Sequence, residues 1–244
     1  MKERPILFSA PMVRAILDGR KTQTRRIVKG SSDVECDRWV AHDGLHTPAS
    51  DELARGVFDP VGDAYRCPYG EPGDRLWVRE SCWLLFADYY TGDGERAGSA
   101  RVVPGAREDG DPPAVWCAVD GPLPAIPPND HGWRWARRNS IHMPRYASRI
   151  LLDVVSVRVE RLQDISEDDA RAEGVTPFPI GGEDCWSDGT RRSAFEYLWG
   201  QINGFVGDPK ARAPWASNPW VWVVTFKRTE ADAACACSER RGAA

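Results

Sequence analysis

Residues 148–160 carry the most regular pattern in the chain, and they call for a bent strand. Ile150, Leu152 and Val154 alternate with their neighbours as a half-buried strand requires. Val155, Val157 and Val159 then alternate in the opposite phase. Side chains on a strand point to alternate faces, so a change of phase marks one extra residue, a β-bulge near Val154. A bulge curves a strand, and a curved strand fits the wall of a small barrel.

The other periodic segments are short. Residues 4–8 read as an edge strand, because Pro5 has no N–H to give a ladder. Ser9 caps a helix on which Met12, Ala15 and Ile16 repeat, and Gly19 ends it in a left-handed turn. The segment from Lys21 to Arg26 then runs on as a strand toward Val28. Gly70–Asp74 is a turn that opens a strand over Arg75–Trp83, with Leu76 and Val78 on one face and Trp77 and Arg79 on the other. Ser166-Glu167-Asp168-Asp169 is a capping-box pattern, and its helix runs to Glu173 with Gly174 as the stop. A further helix starts at Ser193 and lines up Phe195, Leu198, Trp199 and Ile202 before Asn203-Gly204. The last strand, Trp220–Phe226, puts Trp220, Trp222, Val224 and Phe226 on one face.

Strands outnumber helices, and there is no regular βαβ alternation. The expected class is α+β, mainly β: one domain over residues 1–228, built as a closed or nearly closed mixed barrel with short flanking helices. Two polar, Gly- and Pro-bearing stretches, 30–66 and 88–139, read as long insertions, and 229–244 as a disordered tail.

Charge narrows the partners. With 36 acidic and 32 basic side chains the net charge is -4, so nucleic acid has to be met by a local basic patch rather than by bulk attraction. No apolar run reaches membrane-spanning length, and the N-terminus lacks the apolar stretch of a signal peptide; a cytoplasmic protein is expected. Seven scattered cysteines fit reduced thiols. Cys36, His42, His46 and Cys67 offer metal-binding atoms, but no Cys-x-x-Cys pair accompanies them, so neither a metal nor a cofactor is expected. The 11 tryptophans read mainly as core, some as surfaces on which bases stack.

The run from Ile16 to Arg26 resembles the Gly-x-Lys-x-x-Thr-x-Arg signature of the ASCH family, at Gly19, Lys21, Thr24 and Arg26. Pro72–Val78 resembles the family's Gly-Asp turn and barrel strand, and Leu162–Val175 its late acidic helix. Phe195–Trp199 and Trp220–Phe226 are similar to its closing helix and strand. The resemblance covers residues 4–29, 70–84 and 140–228, and its whole-chain pattern is similar to ASCH proteins of phages and prophages. It implies a PUA-like fold, a cleft between the signature loop and the acidic helix, and an RNA-related role. One compact branch is similar to amidohydrolases of N4-acetylcytidine, which rely on a Lys, a Thr and a Glu. Those map onto Lys21, Thr24 and Glu173.

Two divisions of labour suit these residues. Lys21 takes a proton from Thr24, or Glu173 activates water while Lys21 and Thr24 orient the substrate and stabilise the oxyanion. Lys21 and Thr24 are an odd number of residues apart, so a regular strand would separate them; a bend after Gly19 is required. Arg20, Arg25 and Arg26, with Trp77, Arg79 and Arg145, are the candidate contacts to a nucleoside or RNA. Arg134, Arg137, Arg138, Arg145 and Arg149 form a second basic cluster, interleaved with Trp133, Trp135 and Tyr146. The expected function is action on RNA or a modified nucleoside, with amide hydrolysis of an N4-acylated cytidine, as nucleoside or within RNA, as the candidate reaction. The alternatives are a non-catalytic reader of RNA or a modified base, and an RNA nuclease.

Overall fold

The structure, a computed structural model, describes residues 1–30, 36, 38–49, 64–90, 96–101, 114–126, 133–177 and 189–229. The first half holds β1 (Glu3–Leu7), α1 (Ala10–Leu17), β2 (Gln23–Ile27), β3 (Arg38–His42), β4 (Leu45–Ala49), β5 (Tyr65–Arg66) and β6 (Arg75–Arg79). The second holds β7 (Cys82–Tyr90), β8 (Arg96–Arg101), β9 (Val115–Cys117), β10 (Arg134–Arg138), β11 (Leu151–Arg161), α2 (Glu167–Ala172), α3 (Arg191–Asn203) and β12 (Trp220–Arg228).

Strand β12 is apolar on both faces, so it has to be covered on both. Trp220, Trp222, Val224 and Phe226 face the main core, while Val221 and Val223 pack with Phe195 and Trp199 of α3. It lies between β11 and β2 in a five-stranded sheet of order β1-β6-β11-β12-β2, in which only β1 and β6 run parallel.

The bulge is where the phase change puts it. The register between β11 and β12 slips between Val154 and Ser156, and Val155 stands 50% exposed. The slip has a packing reason. It lets Ile150, Leu152 and Val154, and after it Val157 and Val159, all face the same core.

The barrel does not close. β1 and β2 are the two edges of the sheet, with no ladder between them. The chain leaves β1 through α1, and the gap is spanned by a side chain: Arg26 Nη2 donates to the Leu7 carbonyl at 2.6 Å. The architecture is a mixed, strand-dominated α+β fold of several sheets.

Both stretches read as insertions contain ordered strands. Within 30–66, β3, β4 and β5 form an antiparallel sheet. Its hairpin turns at Asp43 and Gly44, both with positive φ, as the tight turn between right-twisted strands requires. The hairpin lays Trp39 against Trp220 and Trp222, at ring separations of 5.8 and 6.5 Å, and His46 edge-on to Trp222 at 4.9 Å. Its tryptophan therefore packs, partly buried, against the core. Within 88–139, β8, β9 and β10 belong to a second sheet in which β7 pairs with all three. The expected strand over Arg75–Trp83 is thus two strands. Buried Glu80 interrupts it and is held by Arg149, Nε to Oε1 at 3.0 Å. Of the tail, Thr229 is still bonded to Leu151 at 3.0 Å through its backbone; residues 230–244 lie outside the described part.

Among the described residues, Cys67, Cys82 and Cys117 are buried free thiols, and burial pushes those of Cys67 and Cys82 up to about 11. Among the described residues, no helix is long and apolar enough to cross a membrane. No group of His, Cys, Asp and Glu among the described residues is arranged to hold a metal ion. His42 and His46 do not share a helical face; they sit on opposite arms of the hairpin.

His46 makes this hairpin sensitive to acid. Burial lowers its pKa below 6.5, and Glu71 opposes the shift only partly. The unfolded chain therefore takes up this proton first, and the contribution of neutral His46 is lost as pH falls below 6.5. Urea unfolding between pH 7.5 and pH 5.5 is expected to show stability falling more steeply in the native chain than in His46→Phe. Equal slopes would contradict this (pH values are about one unit either side of the ordinary His pKa).

Candidate functional site

The required bend after Gly19 is present, and a pair of helix ends makes it. Gly19 takes φ 72° and closes α1, after which the Arg20 and Lys21 amides both donate to the Ala15 carbonyl. Lys21 therefore precedes β2 rather than belonging to it. At the other helix, Ser166 Oγ accepts from the Asp169 amide, Glu173 caps the C-terminus, and Gly174 turns with φ 80°. The two ends meet. Lys21 and Glu173 form an isolated antiparallel bridge, and the Thr22 amide donates to the Ala172 carbonyl at 2.8 Å. The contact is close enough that a Cβ on Gly174 would come within 2.9 Å of Lys21 Cβ and 3.0 Å of Ala15 Cβ.

This meeting buries two charges together. Lys21 is 2% exposed and Glu173 4%. Lys21 Nζ donates to Glu173 Oε2 at 2.6 Å, to the Gln23 carbonyl at 2.8 Å and to the Glu173 carbonyl at 3.0 Å. An ammonium has three protons, and each has an acceptor here. Burial lowers the Lys21 pKa, the Glu173 carboxylate pulls it back up, and Arg26 and Arg25 lower it further.

The pair belongs to a larger network. Arg25, also buried, donates through Nη1 to Gln23 at 2.7 Å, contacts Glu160, and lies 3.2 Å from Asp169 and 3.5 Å from Glu173 Oε1. Arg158 donates to Glu160 at 2.9 Å and to Asp169 at 3.1 Å. Burial raises the Asp169 carboxyl, but hydrogen bonding from Gln23 and the charges of Arg25 and Arg158 outweigh it, so its pKa is lowered. Three cations, Lys21, Arg25 and Arg158, thus balance three anions, Glu160, Asp169 and Glu173. Two atoms of the network are left over: Arg25 Nε and Glu173 Oε1 are buried with no hydrogen-bond partner.

Glu173 and Thr24 line one cavity of about 350 Å³, within the range that holds small ligands. Thr24 reaches it from β2, opposite Val224 of β12. Apolar wall comes from Tyr69 and from Phe195, Leu198, Trp199 and Ile202 of α3. Of the last three, Trp199 is buried and fixed by Nε1 to the Ala213 carbonyl at 2.8 Å, while Ile202 stands 52% exposed. The rest of the charged lining is Arg25, Arg26, Lys29 and Arg212.

The candidate residues therefore divide. Lys21, Thr24 and Glu173 gather at this place, but Lys21 lies behind the cavity wall, reaching it through Glu173. Arg26 lines the cavity, 5.4 Å from the Phe8 ring and 6.0 Å from Tyr69. Arg25 lines it too, but its guanidinium is committed to carboxylates, and it is an internal counter-ion rather than a free contact. Arg20 stays outside, exposed and paired with Asp18 at 2.8 Å.

Trp77, Arg79 and Arg145 lie elsewhere. They belong to the β1–β6 edge, with the Arg79 and Arg145 guanidinium groups 5.0 and 5.9 Å from the Trp77 ring, and Arg145 paired with Glu3 at 2.8 Å. Of the second basic cluster, Arg134 and Arg138 stand over Phe86, and Arg149 is shared by Glu80 and Asp120. The sequence reading missed Arg158, Glu160 and Asp169. Its one available signal was Arg158 and Glu160 at alternate positions of a strand, which puts both on one face. Arg212 gave no signal.

Comparison with protein families, with characterised proteins and with solved structures found no match to the chain.

Removing one partner of a buried ion pair leaves the other charge uncompensated, at a cost of about 3–5 kcal/mol. Lys21→Met and Glu173→Leu are each expected to lose stability of that order, and the double variant less than their sum. Chemical denaturation of the four proteins measures this; additive losses would mean that the two residues are not coupled.

Proposed function

We propose that the chain is an ASCH-type protein with a PUA-like core, and that its cavity hydrolyses the amide of an N4-acylated cytidine. What supports the reading is the gathering of Lys21, Thr24 and Glu173 around one cavity with an apolar, aromatic wall suited to a flat base. The bent β11 and the α1–β2 junction fit the same class.

The hydrogen bonds favour one division of labour. Lys21 is saturated as a donor, so it is a positioning residue that holds the Glu173 carboxylate. Glu173 Oε1 retains the capacity to accept a proton. Glu173 takes a proton from water as the water oxygen bonds to the acyl carbon. The carbonyl oxygen gains negative charge, and the Thr24 hydroxyl donates a hydrogen bond to it. As the tetrahedral centre collapses, the bond from carbon to N4 breaks and the proton passes from Glu173 to N4. The products are cytidine and a carboxylic acid, which then releases its own proton to solvent as it becomes a carboxylate. Atoms and charge balance without a cofactor.

One observation favours a second reading, a non-catalytic binder of a modified base. The ion network is neutral and nearly saturated, as a structural staple between β2, β11 and α2 would be. Turnover separates the two. Purified protein incubated with N4-acetylcytidine is expected to release cytidine, read by chromatography, and to leave added RNA intact on a gel. Glu173→Gln, which keeps the shape and a hydrogen bond to Lys21, is expected to slow release by about 10²-fold or more. Binding without release in the native protein would select the second reading; release unchanged in Glu173→Gln would remove Glu173 as the base.

A further inference from the structure

The cavity is cationic in an acidic protein. Of its charged lining residues four are basic, Arg25, Arg26, Lys29 and Arg212, and one is acidic, Glu173, against a net charge of -4 for the chain. The four differ in what they already hold. Arg25 is committed to Glu160, Asp169 and Glu173, and Arg26 to the Leu7 carbonyl. Lys29 and Arg212 make no ion pair or side-chain hydrogen bond among the described residues.

These two also differ in depth. Thr24, Arg25 and Glu173 are buried and form the floor, while Lys29 and Arg212 are exposed and form the rim. They come to it from separate elements. Lys29 follows directly on the strand that carries Thr24, beyond buried Val28. Arg212 is brought in by the loop after α3, whose backbone returns to the helix where the Arg212 amide donates to the Asn203 carbonyl at 2.7 Å. An apolar wall, a polar floor and uncommitted cations at the rim make a site with two chemical halves.

We infer that the rim is a phosphate subsite, so that the cavity takes a pyrimidine nucleoside carrying a phosphate in preference to the free nucleoside. The inference rests on the nucleoside reading of the cavity. With the base on the apolar wall, the anionic group of such a ligand is its phosphate, and a guanidinium and an ammonium are the side chains that bind phosphate oxygens most strongly. Two sources share this chemistry, a free mononucleotide and a nucleotide within an RNA strand.

Calorimetric titration of the full chain with cytidine, cytidine 5′-monophosphate and a cytidine trinucleotide tests this through binding alone, whatever the outcome for hydrolysis. The monophosphate is expected to bind about tenfold or more tightly than cytidine, the size of one or two charge-assisted hydrogen bonds. That advantage is expected to shrink with added salt and to fall below about twofold in Lys29→Ala/Arg212→Ala. Tighter binding of the trinucleotide assigns the phosphate to a strand, and tighter binding of the monophosphate to a free nucleotide; both support the subsite. Equal binding of cytidine and its monophosphate, an advantage untouched by the double variant, or no binding of either overturns it. Cytidine release from N4-acetylcytidine with equal binding would overturn the subsite alone. A phosphate advantage without any release would overturn the hydrolytic reading alone.

Discussion

The buried contact between Lys21 and Glu173 organises everything around it. Neither charge can be removed from water alone at an acceptable cost, so each requires the other, and the requirement fixes where two helix ends meet. The Lys21 ammonium can reach both the Gln23 and Glu173 carbonyls only if α1 stops at Gly19 and α2 stops at Glu173. Helix C-termini favour a cation, so the backbone also contributes to holding Lys21 there. With the junction set, β2 is placed along β12, and Thr24 comes to the cavity that Glu173 lines.

The surrounding network extends this constraint into the sheet. Arg25 and Arg158 connect the carboxylates of Glu160 on β11 and Asp169 on α2 to the same centre, and the Arg25 guanidinium lies 5.8 Å from the Phe195 ring of α3. β2 and α3, which line the cavity, are thus linked to β11 and α2 by charge on one side and by apolar packing on the other. A polar floor so held is rigid, which is what a reacting or recognising group needs in order to keep its position. The same saturation explains why Lys21 is read as a holder of the carboxylate rather than as the base.

What was legible in the sequence was local. The bulge in β11 followed from side-chain parity, and the stops at Gly19 and Gly174 followed from backbone freedom. The gathering of Lys21, Thr24 and Glu173 came from spacing that resembles a family signature; periodicity alone gives no reason for residues 21 and 173 to touch. The Asp43-Gly44 hairpin carried a turn signal, but it lay among polar residues and passed as loop. Strand β8, Arg96–Arg101, has little strand character of its own and is a strand because β7 pairs with it. Barrel closure failed for a non-local reason: the edges β1 and β2 are joined by Arg26, a side chain, where a ladder would be needed. Arg212 was illegible because a loop, not a periodic element, carries it to the rim.

An experimental structure of the protein soaked with an N4-acylated cytidine is the most direct test of the central claim, that the Lys21–Glu173 junction presents a working carboxylate and the Thr24 hydroxyl to one ligand. The account predicts density in the cavity, with the acyl group or its attacking water within hydrogen-bond reach of Glu173 and Thr24, about 2.6–3.2 Å. A ligand seated away from these two residues, at the Trp77 edge for example, would contradict it.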